Sequence, residues 1–173
     1  MQPSAQGQCR LRCPQIIDYY YMSGSYSAQV GAELSSAGFG WHLNVGIEVI
    51  RMVLSGIFDK LPALKFISGH WGEDIPAYLE RMDYMLDQEL TGLKKPVSQY
   101  YKENIWYTPS GITSEMQLDY FVKLFGADHI IWAEDYPFIL DQPIRFFLDK
   151  TDLDDGQKYA IARGNAEKLF KLK

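Results

Sequence analysis

Cysteine is scarce: Cys9 and Cys13 are the two in the chain, and no second Cys/His pair at finger spacing follows them. Neither a disulfide scaffold nor a four-ligand zinc finger is expected. No apolar run approaches the roughly 18 residues of a membrane span. The first fourteen residues are polar and lack the apolar centre of a signal peptide, so a cytoplasmic protein without membrane partners is expected. Basic clusters are also missing, and the net charge of −5 offers no general attraction for phosphate backbones, which argues against nucleic acid as a partner. No Walker loop and no Gly-x-Ser-x-Gly elbow occurs, and Gly38-Phe39-Gly40 lacks the third glycine and preceding strand of a dinucleotide fingerprint.

What remains is ordinary globular material, with 47 % hydrophobic, 23 % charged and 14 % aromatic residues in 173. Residues 1–37 read as a loop-rich lead-in of Gly, Ser, Tyr and Gln with one short helical stretch, Ala28–Ser36, and 38–173 as the main domain. Val45, Val49, Ile50, Val53, Leu54 and Ile57 recur at three- and four-residue intervals, predicting one helix that ends near Asp59. Three strand–loop–helix cycles follow. Their strands are Leu64–Ser68, Asn104–Thr108 and His129–Ala133; their helices are Pro76–Gln88, Ser114–Phe125 and Pro143–Leu148. A last helix covers Asp154–Leu172. Cycles without hairpin signals predict an α/β fold with parallel strands.

In such folds ligands bind beyond the carboxyl ends of the strands. The loops there carry His70 and Glu73, then Ser110 beside Gly111, then Glu134 and Asp135. His70 lies between two glycines, and Glu73 is placed to accept its second ring proton, an acid/base arrangement. The alternative is a strand-end histidine bonded to a backbone carbonyl. Asp135, leaving a buried strand, suits a hard metal ligand or a general base, and equally a turn aspartate before Pro137. His42 and His129 read as structural as readily as functional. Tyr19–Tyr21, Trp71, Trp106 and Trp132 either wall an aromatic pocket or fill the core.

Taken together, Gly40-Trp41-His42, Leu54-Ser55-Gly56-Ile57-Phe58-Asp59, Leu61-Pro62, Leu64-Lys65-Phe66-Ile67, Gly69-His70-Trp71-Gly72-Glu73, Arg81-Met82-Asp83, Tyr107-Thr108-Pro109-Ser110-Gly111, Asp135-Tyr136-Pro137-Phe138 and Gly164-Asn165-Ala166 carry a resemblance. In order and spacing they resemble the C-terminal half of the amidohydrolase-related family. This is the branch with γ-resorcylate, 2,3-dihydroxybenzoate and aminocarboxymuconate semialdehyde decarboxylases. The resemblance implies a (β/α)8 TIM barrel, here only in part, since a complete barrel takes about 250 residues. It implies a divalent metal, zinc or manganese, held by a Glu-x-His pair, a fifth-strand histidine and an eighth-strand aspartate. Asp135 matches that aspartate, while His70 and Glu73 match the pair that assists proton transfer. The implied reaction is nonoxidative decarboxylation of a hydroxylated aromatic or related unsaturated carboxylic acid.

The departures are equally specific. No Glu-x-His stands near the start, and Leu11-Arg12-Cys13-Pro14 occupies the place of a Leu-His-Pro-like fifth strand. One carboxylate, helped by one histidine, falls short of three protein ligands, so weak or absent metal binding by this chain is expected. A three-strand sector also exposes apolar faces, which predicts self-association or a complementary barrel half. A metal-dependent hydrolase of the same superfamily, a noncatalytic remnant and half of a split enzyme are the competing readings.

Overall fold

The computed structural model of the chain describes residues 24–139 and 147–172. Cys9, Cys13, Leu11–Pro14, Tyr19–Tyr21 and most of the helix predicted from Pro143 lie outside them. The chain divides into two compact units, 1–47 and 48–173. In the described part of the first, helix α1 runs over Ala28–Ser35, with the Ser27 hydroxyl accepting from the Val30 N–H at 3.3 Å. The loss of one such cap typically costs about 1 kcal/mol. His42 places its Nε2 3.0 Å from the Ala37 carbonyl oxygen, so the structural reading of this histidine has a local partner.

Helix α2 covers Gly40–Leu54, longer at its start than the apolar periodicity predicts, and its Val49 and Val53 enter the core of the larger unit. It stops because Gly56 adopts φ 69°, after which α3, Ile57–Lys60, begins in a new direction. The single predicted helix is therefore two, because a residue in the left-handed region cannot continue a right-handed helix, and glycine takes that conformation without strain. Asp59 at the end of α3 accepts from the Tyr100 hydroxyl at 2.6 Å and the Lys94 N–H at 3.1 Å.

Strands β1, Phe66–Ser68, and β2, Ile105–Tyr107, pair in parallel with Phe66 opposite Ile105 and Ser68 opposite Tyr107. The predicted strands run longer than the observed ones. Between them the chain climbs through a 3-10 turn, Ile75–Tyr78, and helices α4, Leu79–Met85, α5, Gln88–Thr91, and α6, Val97–Glu103. Thus the one helix predicted over Pro76–Gln88 is broken. Helix α6 was not expected at all. After β2, α7 spans Glu115–Phe125, capped by the Ser114 hydroxyl and terminated at Gly126, φ 89°, close to expectation.

The third predicted strand is reduced to one parallel bridge, Tyr107 with Ile130. Its backbone donors are divided between two neighbours: the Ile131 N–H donates to the Tyr107 oxygen, whereas the Trp132 N–H donates to the Ile161 oxygen, both at 2.9 Å. Such alternation is ordinary for a strand between two neighbours, but Ile161 belongs to a helical segment rather than to a strand, so a ladder can form only on the Tyr107 side. The predicted terminal helix is α8, Asp155–Tyr159, and α9, Asn165–Phe170, joined by a π turn over Ala160–Gly164. Buried Asn165 docks it by donating to the Ala127 and Ile130 oxygens at 2.8 and 2.7 Å. The aromatic centre of the core is Tyr107, stacked on Phe125 at 4.3 Å, with Phe121 edge-on at 5.0 Å.

The Asp59–Tyr100 bond makes stability depend on pH at both ends. The Tyr100 hydroxyl and the Lys94 N–H hold the Asp59 carboxyl below its ordinary 3.8, against the opposing effect of burial. This contribution is present above 3.8 and is lost as pH falls through the lower folded value. Burial, then the Asp59 contact, pushes Tyr100 from 10.0 up to about 12. That contribution is present below 10.0 and disappears as pH rises through about 12. Tyr100→Phe should flatten both limbs in thermal melts taken across pH. Unchanged acid and alkaline limbs in that variant would contradict the assignment.

Candidate active site

Because β1 and β2 run parallel, their exits share one edge, and the third segment leaves beside them, with the Ser110 N–H donating to the Ala133 oxygen at 3.1 Å. His70, Glu73 and Asp135 meet there. His70 Nδ1 lies 2.8 Å from Glu73 Oε1, and its Nε2 lies 4.0 Å from Asp135 Oδ2. A carboxylate accepts, so Nδ1 carries the hydrogen and the tautomer is set by Glu73. The side chain of Glu73 is only 4 % exposed, against 28 % for His70 and 31 % for Asp135. A buried carboxylate needs such a bonded partner, while the imidazole side chain stays partly exposed. The Glu73 hydrogen bond holds His70 above the ordinary imidazole value; burial opposes it, and the charges of Glu73 and Asp135 reinforce it.

The loop that carries the pair is unusual. His70, Trp71, Gly72, Glu73 and Asp74 have φ of 43°, 55°, 70°, 57° and 63°, so five consecutive residues sit in the left-handed region. Four of them bear a Cβ, and each such residue costs roughly 1–2 kcal/mol. Strain of this kind persists only where the surroundings impose it, and it clusters at functional sites. A short exit loop was expected here, but not its hand. Residues such as His, Trp and Glu give no sign of positive φ in a sequence.

Two glycines keep the neighbouring loops close. A Cβ on Gly111, φ 88°, would stand 2.9 Å from the Cβ of Asp135, and one on Gly69 would stand 3.4 Å from the Ser110 hydroxyl oxygen. The Ser110 and Thr108 hydroxyls share a partly buried hydrogen bond of 2.6 Å. Thr108 was not singled out in the sequence, where it reads as the last residue of a strand. The three tryptophans do not wall a common pocket. Trp71 packs on Phe121 at 5.1 Å, Trp106 stacks on His129 at 4.7 Å, and Trp132 stacks on Phe147 at 5.8 Å. The second contact gives His129 a structural role. A cavity of about 380 Å³ lies beside Trp71, Asp74, Pro76 and Tyr120, but none of the three candidate residues lines it.

The amidohydrolase family matches residues 22–172, nearly the whole chain. The chain belongs to this family. The decarboxylase orsB of Emericella nidulans is 35 % identical over 155 residues, which cover 86 % of this chain and 47 % of that protein. Among solved structures, a Staphylococcus aureus protein assigned to the amidohydrolases superposes with a TM-score of 0.86 at 44 % identity, over 91 % of this chain and 51 % of the other. The 5-carboxyvanillate decarboxylase of Novosphingobium aromaticivorans, complexed with manganese and 4-hydroxy-3-methoxy-5-nitrobenzoic acid, superposes with a TM-score of 0.76 at 33 % identity. That match covers 84 % of this chain and 44 % of the enzyme. The chain thus spans about half the length of the relatives it matches, and its strand–helix units form a partial (β/α)8 barrel. Among the described residues, no helix is long and apolar enough to cross a membrane.

Whether these residues fit a metal can be judged from their donors. Within the larger unit, Asp135 offers one carboxylate facing one imidazole nitrogen of His70, whose other nitrogen is engaged by Glu73. A catalytic zinc normally takes three protein ligands. The pair therefore fits part of a metal site and does not complete one.

Proposed function

We propose that this protein acts in the nonoxidative decarboxylation of a hydroxylated aromatic carboxylic acid, with His70 as the proton donor. The observation that carries this reading is the Glu73–His70–Asp135 alignment at the strand exits, with contacts of 2.8 and 4.0 Å. Decarboxylation leaves the electron pair of the broken C–C bond on the ring carbon. His70 Nε2 delivers a proton there, carbon dioxide departs, and solvent restores the proton to the imidazole. Glu73 steadies the imidazolium before transfer and fixes the ring plane throughout. Fixed charges at a partly buried rim act with less screening than in water.

Asp135 is assigned to a divalent metal, zinc or manganese, and manganese is the first to try because the Novosphingobium relative is complexed with it. Asp135 would contribute one ligand to such an ion, which would supply Lewis-acid stabilisation of negative charge on the substrate. Carbon dioxide release from dihydroxybenzoates and 5-carboxyvanillate, with and without added manganese, tests the reading. A folded sample that binds no metal and releases no carbon dioxide would favour a noncatalytic role. Asp135→Ala should lower manganese occupancy measured by calorimetry, and unchanged occupancy would remove Asp135 from the ligand set.

A further inference from the structure

We infer that Trp71 is a positioning residue, whose anchored indole holds the left-handed turn that aims His70 and Glu73 toward Asp135. The inference rests on the functional reading above for its purpose, but not for its geometry. His70, which carries the chemistry, is less firmly held by packing, since its side chain is 28 % exposed. Trp71, between His70 and Gly72, is 2 % exposed and is fastened at three points. Its Nε1–H donates to the Ile112 oxygen at 2.7 Å, its backbone N–H donates to the Thr108 oxygen at 3.0 Å, and its ring packs on Phe121 at 5.1 Å.

All three fastenings reach the β2 exit loop or the helix after it, so the turn that ends β1 is clamped to the next strand–helix unit. Relaxing φ at Trp71 from 55° to the ordinary negative region would reverse the local hand. His70, one residue before, and Glu73, two after, would then no longer share a side, and their 2.8 Å bond would open. The indole is the largest buried group in the turn, and its position cannot be kept if the hand reverses. The clamp therefore converts side-chain burial into backbone direction, which is how strained site geometry is maintained.

The test uses the full chain free of substrate and metal, observed by NMR. Wild-type protein should show strong intraresidue HN–Hα contacts at residues 70–74, the signature of positive φ, and a slowly exchanging His70 Nδ1 proton. Trp71→Leu should lose both while the remaining amide spectrum stays native. Trp71→Phe keeps a ring but removes the indole donor, and should exchange the His70 proton about fivefold faster, the effect of one hydrogen bond. It also decides the matter if the leucine variant does not fold. Phe58→Leu is the control for packing loss outside the clamp, since Phe58 is a buried ring stacked on Tyr100 at 6.3 Å, and it should leave the His70 proton unchanged. Wild-type exchange in Trp71→Phe, or an equal change in Phe58→Leu, would overturn the inference. Since neither readout needs turnover, failure of decarboxylation would leave it standing.

Discussion

His70→Ala is expected to reduce carbon dioxide release by about 10²–10⁴-fold, the usual contribution of one positioned acid, with manganese content held near wild type. The same change strands the Glu73 carboxylate, 4 % exposed and bonded to the ring at 2.8 Å, without that donor. Removing the partner of a buried charged group costs about 1–3 kcal/mol, so lost activity could be confused with lost stability. His70→Asn separates the two effects. Its amide nitrogen falls near the place of Nδ1 and can donate to Glu73, but it cannot transfer a proton. Stability should recover in that variant and turnover should not. Turnover within tenfold of wild type in His70→Asn, measured by carbon dioxide release, would exclude His70 as the acid. Equal metal loss in His70→Ala and Asp135→Ala would likewise show that the two residues are not divided between proton transfer and metal binding.

The parts of this architecture that were readable in the sequence are those set by local chemistry. Helix α7 is delimited by Ser114, whose hydroxyl caps it, and by Gly126, whose φ of 89° leaves the helical region. The parallel order of β1 and β2 followed from strand–helix alternation, and the meeting of His70, Glu73 and Asp135 followed from placing them at strand exits of one sheet edge. What was not readable depends on partners distant in the chain. Apolar periodicity runs through Gly56 without marking the break, because the residues on both sides are buried whichever way the helix turns. The 130–133 segment is apolar enough for a strand, but on the side away from β2 its neighbour is the Ile161 oxygen of a helical segment, which offers no second strand to pair with. The left-handed turn is hidden for the same reason. Its hand is imposed by Thr108, Ile112 and Phe121, which lie some 40 residues away in sequence.

The strongest stability effect is expected within that turn, at its one glycine. A Cβ on Gly72 would approach Pro76 Cγ to 2.9 Å and Cδ to 3.1 Å, and Tyr107 Cδ1 to 3.1 Å, at φ 70°. Neither neighbour can give way easily. Pro76 is a buried rigid ring, and Tyr107 is fully buried, with its hydroxyl donating to the Tyr101 oxygen at 2.8 Å and its ring stacked on Phe125. Overpacking and a left-handed alanine together predict a loss of about 2–5 kcal/mol for Gly72→Ala in denaturant unfolding. Asp74→Gly, two residues on at φ 63°, should behave oppositely. There the strain relieved in the folded chain is offset by the added freedom of glycine in the unfolded one, leaving stability within about 1 kcal/mol of wild type. If the two variants lost stability equally, the turn would be sensitive to any change rather than to its hand. If Gly72→Ala unfolded like wild type, the close approach of the turn to Pro76 and Tyr107 would not exist in solution.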